Sequence, residues 1–288
     1  MTTPLLEALH QLYPCARMDV VADRRSSLLF SQCPYIDRVV HKDKKKPLRG
    51  GPALIGELRQ RKYDIIVDVR TDGLAYLLRG KKRFTKWGAR SYGKHAVERM
   101  MGVIRDLYGD RPIPPARIWY GDEHERYAGQ VLSELPGDAW LAFAPAVALP
   151  AKLWPAGNYA ALAHSLRDLF TGVILLGGPG EERFAEAVKT GLSLPCVDTT
   201  GTADLLQAAA LLKKAKLFVG SDSGLGHVAA GVGTPTLTIF SVDRPERCHP
   251  WGNKAAWLIS EDGTARGVSA TVVETQIRKY FQQSDTSG

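Results

Sequence analysis

Short apolar runs alternate with amphipathic stretches along the whole chain. In the first half the pattern predicts a helix over residues 4–13, strands at 18–22 and 38–40, and a helix over 48–61. A strongly apolar strand follows at 63–69, then a helix over 95–107 with Val97, Met100, Met101 and Ile104 on one face. After the turn-rich stretch 109–115 and a short helix at 123–134, Leu135-Pro136-Gly137-Asp138 reads as a boundary. The second half predicts strands at 140–145, 172–177, 196–198, 217–220, 236–240 and 255–259. Helices are expected between them at 158–169, 181–190, 203–213 and from 227, with a closing helix over 269–281. Strand–helix alternation with short connections implies parallel sheets covered on both faces. Two domains, 1–135 and 136–288, are therefore expected.

Composition agrees with a folded chain: 288 residues, 44% hydrophobic and 24% charged, leave material for two cores. No apolar run approaches the roughly 20 residues that cross a bilayer, and the N-terminus lacks the pattern of a signal peptide. A cytoplasmic location is the expectation. Cys15, Cys33, Cys196 and Cys248 show neither Cys-x-x-Cys nor metal-ligand spacing, so reduced cysteines and no structural metal are expected. The net charge of +8 is concentrated early, in 41–46, then Arg79, Lys81, Lys82, Arg83, Lys86, Arg90 and Lys94. Such clusters suit an anionic partner or a solvated face; no nucleic-acid module accompanies them.

Three segments carry candidate chemistry. Val219-Gly220-Ser221-Asp222-Ser223-Gly224-Leu225-Gly226-His227 is a buried strand, a small-residue turn and a helix start. Backbone N–H groups at such a start favour phosphate, and ligands of doubly wound sheets bind at strand carboxyl ends. The plain alternative is a helix cap by Asp222 or Ser223. Residues 146–155 follow another strand, and Lys152 there can reach a diphosphate or merely lie in solvent, with Trp154-Pro155 stiffening its loop. Residues 175–183 offer Glu181 and Glu182 at a strand end, either as ribose acceptors or as first-turn acids.

Taken together these segments resemble the family nine glycosyltransferases, the bacterial heptosyltransferases. The resemblance is carried by Asp222-Ser223-Gly224, His227, Ala229-Ala230, Gly233-Thr234-Pro235-Thr236 and Phe240. Lys152-x-Trp154-Pro155, the strand from Tyr63-Asp64 to Asp68, and His95-Ala96-Val97-Glu98-Arg99 add to it. It implies an α/β chain of the GT-B type, two Rossmann-like domains facing across a cleft, with ADP-heptose in the C-terminal one. Lys152 would hold the diphosphate, Glu181 (less directly Glu182) the ribose, and Asp222, Ser223, Gly224, Leu225 and His227 the diphosphate and heptose. The basic N-terminal domain, through Lys81, Lys82, Arg83 and His95, would meet the anionic lipopolysaccharide core at the inner-membrane surface.

The implied reaction is an inverting, metal-independent transfer without cofactor, in which a carboxylate takes the acceptor proton. Two departures stand against the family pattern. Val147 and Ala148 occupy places where relatives have hydroxyl residues, removing two phosphate donors. The family's opening strand and Gly-Asp turn, which supplies the proposed base, are not seen before Thr2-Thr3-Pro4. The expectation is that Met1 is internal to a longer natural protein; the alternatives are an inactive or repurposed nucleotide-sugar binder and a transferase using another nucleotide sugar. The catalytic residue is unassigned, since nothing in their spacing singles out Asp68, Asp72 or Glu98 as a substitute base.

Overall fold

The computed structural model describes every residue except Arg25, 43–46, Asp72, Ser91, Val242 and 286–288. The chain divides into two compact units, Met1–Trp119 and Tyr120–Gly288.

The first unit runs α1 (Thr3–Leu12), β1 (Met18–Ala22), β2 (Ile36–His41), α2 (Pro47–Leu58) and β3 (Tyr63–Asp68). It continues through α3 (Leu74–Leu77), β4 (Gly80–Thr85), α4 (Ala96–Met101) and α5 (Arg105–Tyr108). Its strands form two parallel pairs, β1–β2 and β3–β4, which are not joined into one sheet among the described residues. A polar cluster ties the pairs together near their amino ends. The Asp19 carboxylate, 3% exposed, accepts from Arg38 at 2.8 Å, Tyr63 Oη at 2.9 Å and Arg61 at 2.7 Å.

One expectation for this unit changes, and one element is added. The helix over 95–107 is broken into α4, a 3-10 turn at Gly102–Ile104, and α5. Gly102 is the reason: its carbonyl accepts from Arg90 N–H at 3.1 Å, and a Cβ there would lie 2.2 Å from the Arg90 carbonyl oxygen. The basic stretch 80–85, to which the apolar pattern assigns no element, forms strand β4, an edge strand whose lysines face solvent.

The second unit runs α6 (Asp122–Leu132), β5 (Trp140–Ala144), α7 (Ala156–Ser165), β6 (Gly172–Leu175), α8 (Glu182–Lys189) and β7 (Cys196–Asp198). Then come α9 (Leu205–Lys214), β8 (Leu217–Ser221), α10 (Gly224–Gly231), β9 (Thr236–Phe240), α11 (Pro245–Cys248), β10 (Ala255–Ile259) and α12 (Ala270–Asp285). All six strands are parallel, in the order β10-β9-β8-β5-β6-β7. The inner strands are apolar nearly throughout because both faces are covered. Phe143, Leu162, Val173, Val219, Ile239 and Val273 belong to one continuous core. Helix α9 starts at a capping box: Asp204 Oδ1 accepts from Leu206 and Gln207 N–H, both at 2.8 Å, and Gln207 returns to the Asp204 N–H.

The division falls after Trp119, ahead of the boundary expected at 135. Helix α6 packs on α9, and Glu125 pairs with Lys214 at 3.1 Å, so 120–135 belong to the second unit.

Candidate nucleotide site

In the second unit the chain winds outward from the centre in two directions: β5-β6-β7 to one side and β8-β9-β10 to the other. The reversal lies between β5 and β8, and in doubly wound sheets ligands bind outside the strand carboxyl ends at such a point. Lys152 lies on the loop after β5, and Asp222 directly follows β8. Their side chains meet there, Lys152 Nζ donating to Asp222 Oδ2 at 2.7 Å.

The loop carrying Lys152 is pinned at its far end. Trp154 is fully buried, donates Nε1–H to the Val268 carbonyl at 2.7 Å, and stacks edge-on against Tyr159. Pro150–Lys152 forms a 3-10 turn that stands the lysine away from this anchor. The expected stiffening by Trp154-Pro155 thus comes from burial of the indole.

A third group completes the cluster. Asp243, on the loop after β9, also pairs with Lys152. Burial works against the Lys152 ammonium, yet Asp222 and Asp243 together hold its pKa above the ordinary lysine value. Burial raises the Asp222 carboxyl against the pull of Lys152, and the nearby Asp243 charge adds to the rise. Asp243 itself is held below the usual carboxylate range by its hydrogen bond to Lys152. The cluster therefore carries one positive and two negative centres when all are ionised.

Beside it, Ser223 is the N-cap of α10, but its hydroxyl makes no capping bond. The buried hydroxyls of Ser223, Thr238 and Ser241 have no hydrogen-bond partner among the described residues. Buried polar atoms of this kind are normally satisfied, so the strand-end hydroxyls of Ser223 and Ser241 are set to take water or a ligand, while Thr238 lies inside β9 under α10. Open space lies where a Cβ would sit on Gly224, leaving the backbone at the helix start approachable. Leu225 and His227 follow in the first turn of α10, both half-buried.

On the other side of the reversal, Glu181 Oε2 accepts from Gly178 N–H at 2.7 Å, and Glu182 Oε1 from Gly180 N–H at 3.0 Å. A Cβ on Gly177 would come within 2.8 Å of Thr200 Cγ2 and 3.1 Å of Glu181 Oε2, so the ends of β6 and β7 are close here. The fold thus brings Lys152, Asp222, Ser223, Gly224, Leu225 and His227 to one end of the sheet, with Glu181 along the same edge. Sequence reasoning missed Asp243, Thr200 and Ser241; all three follow strand ends, which is the signal that marked Asp222.

The first-unit candidates fare differently. Lys82 is exposed, and Lys81 pairs on the surface with Asp64 at 2.7 Å. Arg83 is committed to the fold, donating to the Ala75 and Leu78 carbonyls, each at 2.9 Å. His95, expected to face an acceptor, is only 3% exposed and caps α4, its Nδ1 accepting from Val97 N–H at 3.2 Å. Glu98 closes that capping box by accepting from His95 N–H at 2.8 Å, so its carboxylate is committed to the helix start. Asp68 accepts from the N–H groups of Arg70 and Thr71 in its own turn. Asp72 and the cluster at 43–46 lie outside the described residues.

Among the described residues no group of three or more His, Cys, Asp or Glu is arranged to hold a metal. No described helix is long and apolar enough to cross a membrane.

The family model for glycosyltransferase family 9 (heptosyltransferase) matches residues 53–277. The chain belongs to that family. It is therefore a glycosyltransferase, and its α/β architecture is of the GT-B class. Lipopolysaccharide heptosyltransferase 2 of Escherichia coli K12 is 26% identical over 291 residues, covering 88% of this chain and 82% of that protein. A family 9 glycosyltransferase from Veillonella parvula superposes with a TM-score of 0.86 at 20% identity, over 98% of this chain and 93% of that one. The E. coli ADP-heptose lipopolysaccharide heptosyltransferase II gives 0.79 at 21% identity, over 99% and 95%.

Proposed function

We propose that this family 9 member transfers heptose from ADP-heptose to the inner core of lipopolysaccharide, the second unit holding the donor and the first meeting the acceptor. The observation that carries the reading is the meeting of Lys152 and Asp222 at the point where the strand order reverses. There Lys152 places a compact charge for the diphosphate, and the first turn of α10 adds N–H groups. As the glycosidic bond to the diphosphate breaks, negative charge grows on the leaving oxygens, and these fixed donors stabilise it more than the ground state. Glu181 and Thr200, at the neighbouring strand ends, suit ribose hydroxyls. The mechanism calls for no metal or cofactor, and the base that accepts the acceptor proton is unassigned.

On the first unit, Trp87 is 63% exposed and stacks on Tyr76, 55% exposed, with Leu77 beside it at 51%. Exposed Arg79, Lys82 and Lys86 neighbour them in sequence. An aromatic tip with cations around it suits an anionic membrane surface, and supports a peripheral location on the cytoplasmic face where the acceptor is presented.

The direct test is transfer of labelled heptose from ADP-heptose to lipopolysaccharide isolated without its heptoses. Label in the acceptor is expected. Tight binding of ADP-heptose with no transfer would replace this reading with that of a non-catalytic binder.

A further inference from the structure

The loops after β5, β8 and β9 leave neighbouring strands, and each delivers one charged side chain to the same point. The two carboxylates are not equivalent. Asp222 is fixed at the end of β8, its N–H donating to the Ile239 carbonyl at 3.2 Å and its side chain largely covered. Asp243 lies on the loop between β9 and α11, and its side chain is 44% exposed. Arg247, exposed on α11, is close enough to contribute to the stabilisation of the Asp243 charge.

We propose that Asp243 is a releasable counter-ion for Lys152, competing with the diphosphate for its ammonium and so hastening departure of the nucleoside diphosphate product. The inference rests on the reading of Lys152 as a diphosphate ligand. One ammonium cannot neutralise two carboxylates and a diphosphate at once, and like charges a few ångströms apart repel strongly when partly shielded from water. The exposed carboxylate is the one free to turn aside, towards solvent and Arg247, while Asp222 keeps its place. After transfer the bond to the sugar is gone and only the diphosphate competes, so the return of Asp243 to Lys152 favours release. The raised Asp222 carboxyl agrees with this geometry, since the Asp243 charge already acts on it.

The test is calorimetric titration of the full chain with ADP, with dissociation followed by stopped flow. Asp243→Asn is expected to bind ADP about five- to tenfold tighter than the unmodified protein, chiefly through slower dissociation. The gain should shrink in high salt. Asp243→Ser should repeat the shift, Asp243→Glu should stay near the original affinity, and adenosine, which lacks phosphate, should bind both forms alike. A merely structural Asp243 would weaken binding when replaced. If Asp243→Asn binds ADP equally or less tightly while Lys152→Ala loses affinity, the counter-ion role is wrong and the diphosphate site stands. If the unmodified protein has no affinity for ADP, or Lys152→Ala binds as well as it does, the site reading fails and the inference goes with it.

Discussion

The two units use the same alternation of strand and helix to different ends. In the second, six parallel strands share one sheet, and β5, β6, β8 and β9 are almost wholly buried. In the first, strands with comparably apolar residues, Val20 and Val21 in β1 and Ile65, Ile66 and Val67 in β3, remain partly open. Their two pairs are bridged by the charges around Asp19 instead of by backbone ladders. The first unit's core, around Val40, Leu54, Leu58 and Leu78, is correspondingly smaller than the one the continuous sheet builds with helices on both faces. The unit with the continuous sheet also carries the converging charges, because a rigid set of strand ends can hold three loops in register.

That contrast can be broken most sharply by truncation. Phe218→Ala, at the centre of the buried sheet, is expected to cost about 3–5 kcal/mol in urea unfolding. Ile66→Ala should cost only about 1–2 kcal/mol, because its site is half-open to solvent. Equal costs would mean the first unit is as well packed as the second. Asp19→Ala leaves Arg38, Arg61 and Tyr63 without their shared acceptor and should cost about 2–3 kcal/mol, an effect seen in hydrogen exchange of β1 and β3 but not of β5 or β8.

Smaller in energy, but decisive for the site, is Lys152→Ala. It should weaken ADP-heptose binding about tenfold, or about 1.4 kcal/mol, without moving the unfolding midpoint by more than a few degrees. Asp222→Ala should weaken donor binding or turnover strongly in a chain that still folds, and near-normal activity would remove Asp222 from the site. The mildest change is expected from Trp87→Ala. Sedimentation with vesicles containing phosphatidylglycerol should fall several-fold while donor affinity holds, and unchanged sedimentation would place any membrane contact elsewhere.

How much of this was legible in the sequence follows the same division. The strands at 196–198, 236–240 and 255–259 were read residue for residue, because short apolar or β-branched runs between turn signals have few other uses. Strand β4 escaped, since Gly80-Lys81-Lys82-Arg83-Phe84-Thr85 is an exposed edge whose charges hide the pattern. The single helix expected over 95–107 failed at Gly102, where backbone approaches backbone across a distance that no local signal encodes.

In the site, Asp222 is visible as a polar residue just past a strand end and Lys152 as a cation on the loop after another. Their pairing, and the arrival of Asp243, depend on β5, β8 and β9 being neighbours, which is set by sheet order and not by sequence proximity. Residue type alone did not reveal that Arg83 donates to the Ala75 and Leu78 carbonyls or that His95 Nδ1 accepts from Val97 N–H, because both bonds depend on local backbone geometry.

The central claim, that the second unit alone holds the nucleotide sugar at its strand ends, is tested most directly by hydrogen exchange with and without ADP-heptose. Added protection is expected to be confined to segments 146–153, 177–182, 199–202, 221–228 and 241–249, and, with donor held near the Kd of the unmodified protein, to be largely lost in Lys152→Ala. Protection appearing instead in β1, β3 or β4, or persisting unchanged in the lysine variant, would contradict it.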